Sequence, residues 1–117
     1  MTTIYRFAGQ PVLVFQGDTI YKFAGRPLYR IAGDTVYEFA GLPKYVIRGD
    51  QIDRFAGMPL ARYYNDTLYE FAGMPKYVVR GDRIDRFAGL PEYTINGFLT
   101  PTELMALLAI ILDDEID

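Results

Sequence analysis

The chain reads as an all-β repeat of six antiparallel β-hairpins, twelve short strands in all, closed around one buried apolar C-terminal α-helix. Two observations predict this fold. The tripeptide Phe-Ala-Gly recurs from Phe7, Phe23, Phe39, Phe55, Phe71 and Phe87, always 16 residues apart. After Gly97 the period stops, and a run from Leu104 to Leu112 follows with no polar residue in it. A fixed period of this size belongs to architectures whose unit cannot bury its own apolar face and must stack on its neighbours.

Cut at Thr3, Thr19, Thr35, Gln51, Thr67 and Arg83, the units follow T-I-Y-x-F-A-G-x-P-x-Y-x-I-x-G-D. Thr19-Ile20-Tyr21-Lys22-Phe23 and Leu28-Tyr29-Arg30-Ile31 are rich in β-branched and aromatic residues and are bounded by turn residues, so each unit is a hairpin. Within a unit, Ala-Gly-x-Pro supplies a permissive glycine and a proline that lacks a ladder donor. Between units, Gly-Asp places glycine first, as a two-residue type II′ turn requires. Asn65-Asp66 takes its place in the fourth unit, and asparagine tolerates positive φ. A 32-residue period is also visible, Thr35 to Pro59 closely matching Thr67 to Pro91.

If these turns set the register, Ile31 faces Val36, Arg30 faces Tyr37 and Arg62 faces Tyr69, while Val46 faces Asp53 and Val78 faces Asp85. Arginine opposite tyrosine marks an exposed cation–π contact and so the solvated face of the sheet. Ile20 and Phe23 are three apart and point to opposite faces of a regular strand, yet both positions are apolar in every unit. Either a bulge near Tyr21 and Lys22 brings both inward, or Phe lies on the far face near the loop, covered by Pro and the neighbouring hairpin.

Thr100 followed by Glu103 is a capping box, and Pro101 fills the first helical position, where a missing donor costs nothing. A helix apolar all round should be wrapped on all sides, and nine apolar residues are too few for a bilayer, which takes about 20. Twelve strands at about 4.8 Å spacing close into a ring roughly 20 Å across, which leaves room for one helix once side chains line it. Residues 1–117 therefore form one domain, with hairpins over 3–98, the helix over 99–113 and an acidic tail over 114–117. Asp113-Asp114-Glu115-Ile116-Asp117 sets negative charge at the unfavourable end of the helix dipole, which predicts that it frays into solvent.

Composition narrows the function. Among 117 residues, 50% are hydrophobic and 15% aromatic, which excludes disorder, and the net charge of −3 removes the electrostatic drive of a nucleic-acid binder. There is no cysteine and no histidine, hence no disulfide framework, thiolate or imidazole base. Met1-Thr2-Thr3-Ile4-Tyr5 carries neither a basic region nor an apolar run, which predicts a cytoplasmic location.

The recurring motif in Ile20-Tyr21-Lys22-Phe23-Ala24-Gly25-Arg26-Pro27 resembles the short bacterial hairpin repeats of the four-fold beta-flower family over Thr3 to Phe98. Twelve strands around an apolar C-terminal helix also resemble the tubby-like barrel shared with phospholipid scramblases and LURP-one-related proteins. The first resemblance implies no established activity. The second implies phosphoinositide binding through basic residues, and this chain has no clustered Lys/Arg stretch to inherit that role.

Arg48-Gly49-Asp50 and Arg80-Gly81-Asp82 spell an integrin-recognition tripeptide, but Gly-Asp is already required by the turn, so turn chemistry is the stronger reading. Asp18, Asp34, Asp50, Asp66 and Asp82 share one end, where a carboxylate ring suits calcium, but without a compact D-x-D-x-D-G loop the stronger reading is that each aspartate caps its own turn. Asp53 and Asp85 recur by repetition, with no nucleophile or base converging on them. The tyrosines of the first strands (Tyr5, Tyr21, Tyr37, Tyr69) and second strands (Tyr29, Tyr45, Tyr77, Tyr93) serve either a contact surface or sheet packing. The expectation is a non-catalytic structural or protein-interaction module, without cofactor, metal, nucleic acid or small-molecule substrate. Its contact surface is expected at Tyr5, Tyr21, Tyr37, Tyr69, Arg30 and Arg62, with self-association or another protein as partner. The alternative is a peripheral, phospholipid-associated module of tubby-like character.

Overall fold

A computed structural model describes residues 1–113. The first three hairpins are β1 (Thr2–Arg6) with β2 (Pro11–Gln16), β3 (Thr19–Lys22) with β4 (Pro27–Ala32), and β5 (Thr35–Glu38) with β6 (Pro43–Arg48). The last three are β7 (Gln51–Arg54) with β8 (Pro59–Tyr64), β9 (Thr67–Glu70) with β10 (Pro75–Arg80), and β11 (Arg83–Arg86) with β12 (Pro91–Asn96). Every strand pairs with its sequence neighbours, and β1 pairs with β12, so the twelve close into an antiparallel barrel with no free edge. Helix α1 (Pro101–Leu112) fills it. The molecule measures 35 × 34 × 22 Å, a squat ring about as tall as its strands are long.

All five cross-strand pairings expected from the Gly-Asp turns are present: Ile31–Val36, Arg30–Tyr37, Val46–Asp53, Arg62–Tyr69 and Val78–Asp85. The turns behave as their residues dictate. Gly17, Gly33, Gly49 and Gly81 have φ of 61–64°, while their aspartates stay at negative φ, as in a type II′ turn. In the fourth unit both Asn65 (52°) and Asp66 (62°) take positive φ, which makes that turn type I′-like.

Side-chain direction follows one parity throughout. Ile4, Ile20, Val36, Ile52, Leu68 and Ile84 point inward and are fully buried. Opposite them stand Leu13, Tyr29, Tyr45, Ala61, Tyr77 and Tyr93, also buried, so the second-strand tyrosines belong to the core and not to a contact surface. On the helix, Met105 to Ile111 are buried without a break, and they join the strand residues in one apolar cluster. A helix with no polar stripe needs this surrounding.

The open question of the repeat phenylalanine is settled by a bulge on the other strand. In every hairpin the register shifts by one residue: Ile20 pairs with Tyr29 but Tyr21 with Pro27, which leaves Leu28 extra. The equivalents of Leu28 are Val12, Lys44, Leu60, Lys76 and Glu92. The first strand therefore keeps its strict alternation, with Ile20 in, Tyr21 out and Phe23 out. The Phe23 N–H still donates to the Val12 carbonyl at 3.0 Å, so the backbone pairs with the preceding hairpin beyond the strand proper. Of the two alternatives, Phe on the far face near the loop is the one present, with the bulge at Leu28 and its equivalents instead of Tyr21 and Lys22, and the phenylalanines are less covered than a Pro-shielded position implies.

The helix starts as its sequence dictates. Glu103 N–H donates to Thr100 Oγ1 at 3.1 Å, and Thr100 N–H to Glu103 Oε1 at 2.8 Å. It enters from the end carrying the Gly-Asp turns (the tip end) and finishes at the end carrying the Ala-Gly-x-Pro loops (the loop end). Asp113 does not fray: Arg54 and Tyr45 hold its carboxylate, because both point into the barrel mouth where the helix ends. The tail over 114–117 lies outside the described residues.

Candidate functional site

The outward parity of Phe puts an apolar ring around the loop end. Phe7, Phe23, Phe39, Phe55, Phe71 and Phe87 are each between 43% and 54% exposed. At the loop tips just beyond, Leu42, Met58, Met74 and Leu90 are 66–70% exposed. These four occupy the x of Ala-Gly-x-Pro, where Gln10 and Arg26 stand in the first two units. The ring is thus apolar at the tips over the third to sixth hairpins. Scattered single apolar residues on a surface need no explanation, whereas this set recurs at the same place in hairpin after hairpin.

Charged groups line the inside of the same end. Lys44 pairs with Glu38 at 3.8 Å, Lys76 with Glu70 at 3.8 Å and Arg86 with Glu92 at 2.8 Å. The bond to Glu92 raises the Arg86 guanidinium above its ordinary pKa. Arg6 lies over the Tyr93 ring, 6.0 Å from its centroid. Lys22 and Arg26, on either side of the second loop, have no carboxylate partner among the described residues.

The residues expected to form the contact surface lie on the outer wall, between the two ends. Tyr5, Tyr21, Tyr37 and Tyr69 are partly buried, each set against the proline of its own hairpin. Arg30 covers Tyr37, its Cζ 5.3 Å from the ring centroid. Arg62 sits opposite Tyr69 in register but lies over the Phe71 ring at 5.1 Å, since Tyr64 already stacks on Tyr69 with centroids 4.8 Å apart. Asp53 and Asp85 occupy the tyrosine position in their hairpins. Although on the outer face, they are buried beneath Arg48 with Gln51 and Arg80 with Arg83 respectively.

This arrangement explains the Arg-Gly-Asp tripeptides structurally. Arg48 Nε lies 3.0 Å from Asp53 Oδ2, and Arg80 Nε 3.1 Å from Asp85 Oδ2, so both arginines are turned back onto the wall. At the tip end Asp18 and Asp34 accept from the hydroxyls of Thr19 (3.0 Å) and Thr35 (3.2 Å). Among the described residues, no three carboxylates are placed to share a cation. Nor is any described helix long and apolar enough to cross a membrane.

The loop-tip residues Leu42, Met58, Met74 and Leu90 escape a motif-based reading because x is the variable position of the repeat. Their signal is physical: an apolar side chain between Gly and Pro at a loop tip has nothing beyond it to pack against.

No protein-family model matches the chain, and neither curated proteins nor solved structures give a match.

Proposed function

We propose that this domain is a non-catalytic interaction module that holds a polypeptide partner, or a second copy of itself, against the apolar ring at its loop end. The observation that carries the reading is the half-exposure of all six repeat phenylalanines beside Leu42, Met58, Met74 and Leu90. Aromatic and Met side chains are the types enriched in protein interfaces, and here they project from a closed barrel whose backbone has little freedom to lose on binding. The tyrosine and arginine wall of Tyr5, Tyr21, Tyr37, Tyr69, Arg30 and Arg62 adjoins the ring and would form its polar rim. A cytoplasmic setting is consistent with a chain free of cysteine.

Substituting Phe55→Ser, Phe71→Ser and Phe87→Ser together tests the reading. Proteins captured by the parent, or self-association seen by sedimentation velocity, should be lost in the variant while its folded-state spectrum is kept. A parent that is monomeric at high concentration and captures nothing that the variant fails to capture would refute it.

A second reading is favoured by the confinement of the apolar ring to one end. Apolar side chains at one end of a compact domain also suit shallow insertion into a bilayer surface, as the resemblance to tubby-like barrels implies. Ring-dependent flotation with phosphatidylcholine and phosphatidylserine vesicles would support that reading, and its absence would remove it.

A further inference from the structure

The second hairpin breaks the repeat in three ways at one place. Its loop is the one in which alanine, not glycine, takes positive φ: Ala24 has φ of 57°, whereas Gly9, Gly41, Gly57, Gly73 and Gly89 carry 102–115° in the other five. A left-handed alanine is strained, and such strain collects at functional positions. Next, Arg26 stands where the third to sixth hairpins carry Leu or Met. Finally, Lys22 and Arg26 are the two loop-end cations with neither a carboxylate nor a ring partner among the described residues. Both are exposed.

These departures surround a groove of about 390 Å³ between the second and third hairpins, lined by Lys22, Arg26, Leu28, Tyr29, Phe39 and their neighbours. The equivalent groove between the fifth and sixth hairpins, about 280 Å³, has Lys76 and Arg86 in its lining, but Glu70 and Glu92 already neutralise these. The first groove is therefore cationic and the second is not. Glu38 also lines the first groove, with Lys44 as its ion-pair partner. Phe39 belongs both to this groove and to the apolar ring, so one occupant can span them.

We propose that this groove selects the partner: it receives an acidic segment of polypeptide whose carboxylates alternate with large apolar side chains. Arg26 offers a planar fork that suits a carboxylate, Lys22 adds a second charge across the loop, and Leu28 with Phe39 takes the neighbouring apolar side chain. The inference rests on the polypeptide-binding reading above and gives that partner a charge.

The test is an NMR titration of the ¹⁵N-labelled full chain with the blocked peptide acetyl-Asp-Leu-Glu-Phe-Asp-Leu-amide, and with its Asn/Gln counterpart. The acidic peptide should give saturable shifts confined to residues 22–40 and the adjoining ring, and the neutral peptide should bind at least about tenfold more weakly. Arg26→Leu, which installs the residue found at Leu42 and Leu90, should weaken the acidic peptide by about tenfold, while Arg26→Lys, which keeps the charge but loses the fork, should recover only part of that loss. Lys76→Gln should leave it unchanged. Equal binding of both peptides, indifference to Arg26→Leu, or shifts located elsewhere would overturn the proposal, as would association with anionic vesicles in place of the peptide. The Phe55, Phe71 and Phe87 variant leaves this groove intact, so failure of the ring and failure of the groove are distinguishable.

Discussion

Arg54 and Asp113 close the loop end of the barrel with a two-point ion pair, Nη2 lying 2.7 Å from Oδ1 and Nη1 2.9 Å from Oδ2. The Tyr45 hydroxyl donates to the same Oδ2 at 2.6 Å. A carboxylate at a helix C-terminus opposes the dipole, and the guanidinium fork offsets that. With Arg54 half exposed, solvent screening tempers the gain, so Arg54→Ala should cost about 1–2 kcal/mol in urea unfolding. A double-mutant cycle with Asp113→Asn should return a coupling of about 1 kcal/mol, and additive effects would contradict the pairing.

Gly97 marks where the closed barrel hands the chain to the helix. Its φ is +124°, and an added Cβ would lie 2.6 Å from Thr2 Oγ1 and 3.0 Å from Thr2 Cα. The same threonine donates to the Phe98 carbonyl at 2.5 Å. Gly97→Ala should cost more than the roughly 1–3 kcal/mol of backbone strain alone, because β1 must also move. Gly9→Ala, at φ +111° with open space around it, should cost only the strain. Thermal unfolding of the two variants ranks them, and equal losses would mean that the Thr2 contact is relieved freely.

Asp85 is an ion-paired carboxylate on a wall position that holds tyrosine in four of the six hairpins. Removing one partner of an ion pair is costly when the other stays buried, but Arg80 and Arg83 are 60% and 43% exposed and can turn to water once Asp85 is gone. Asp85→Tyr should therefore stay within about 1 kcal/mol of the parent and be less sensitive to added salt than the parent. A loss near that of a core truncation, about 2–5 kcal/mol, would show that the Arg80 and Arg83 contacts organise the hairpin.

Tyr63 gives the barrel an alkaline weakness. Burial first, and the Asp66 carboxylate second, raise its hydroxyl above the ordinary 10.0. The unfolded chain then loses this proton before the folded one, so the contribution is complete below about pH 10 and is lost as pH rises through the folded value. Denaturation at neutral pH and again above pH 10 should show a smaller alkaline decline for Tyr63→Phe than for the parent. An unchanged decline would exclude Tyr63 as a source.

Much of this was legible in the sequence. The 16-residue period, the Gly-Asp turns and the Thr100–Glu103 capping box each act locally, and together they dictated hairpin count, register and helix start. The direction of Phe23 was not legible, because it depends on which strand carries the bulge, and Pro27 and Leu28 are compatible with either. Tyr29 and its counterparts carried no mark of being core, since a phenol suits a barrel mouth and a surface alike. Asp113 was misread because its partners Arg54 and Tyr45 are distant in sequence. The loop-tip ring was hidden for a different reason: the repeat consensus discards its variable position, and the exposed Leu42, Met58, Met74 and Leu90 occupy it.

The most direct test is the urea stability of the Phe55→Ser, Phe71→Ser and Phe87→Ser variant, since the account holds that these side chains serve contact and not folding. Three half-exposed phenylalanines should cost about 3 kcal/mol or less in total, with unfolding still cooperative. Were they core residues, each would cost about 3–5 kcal/mol, a sum beyond the stability of most small domains, and the chain would not fold.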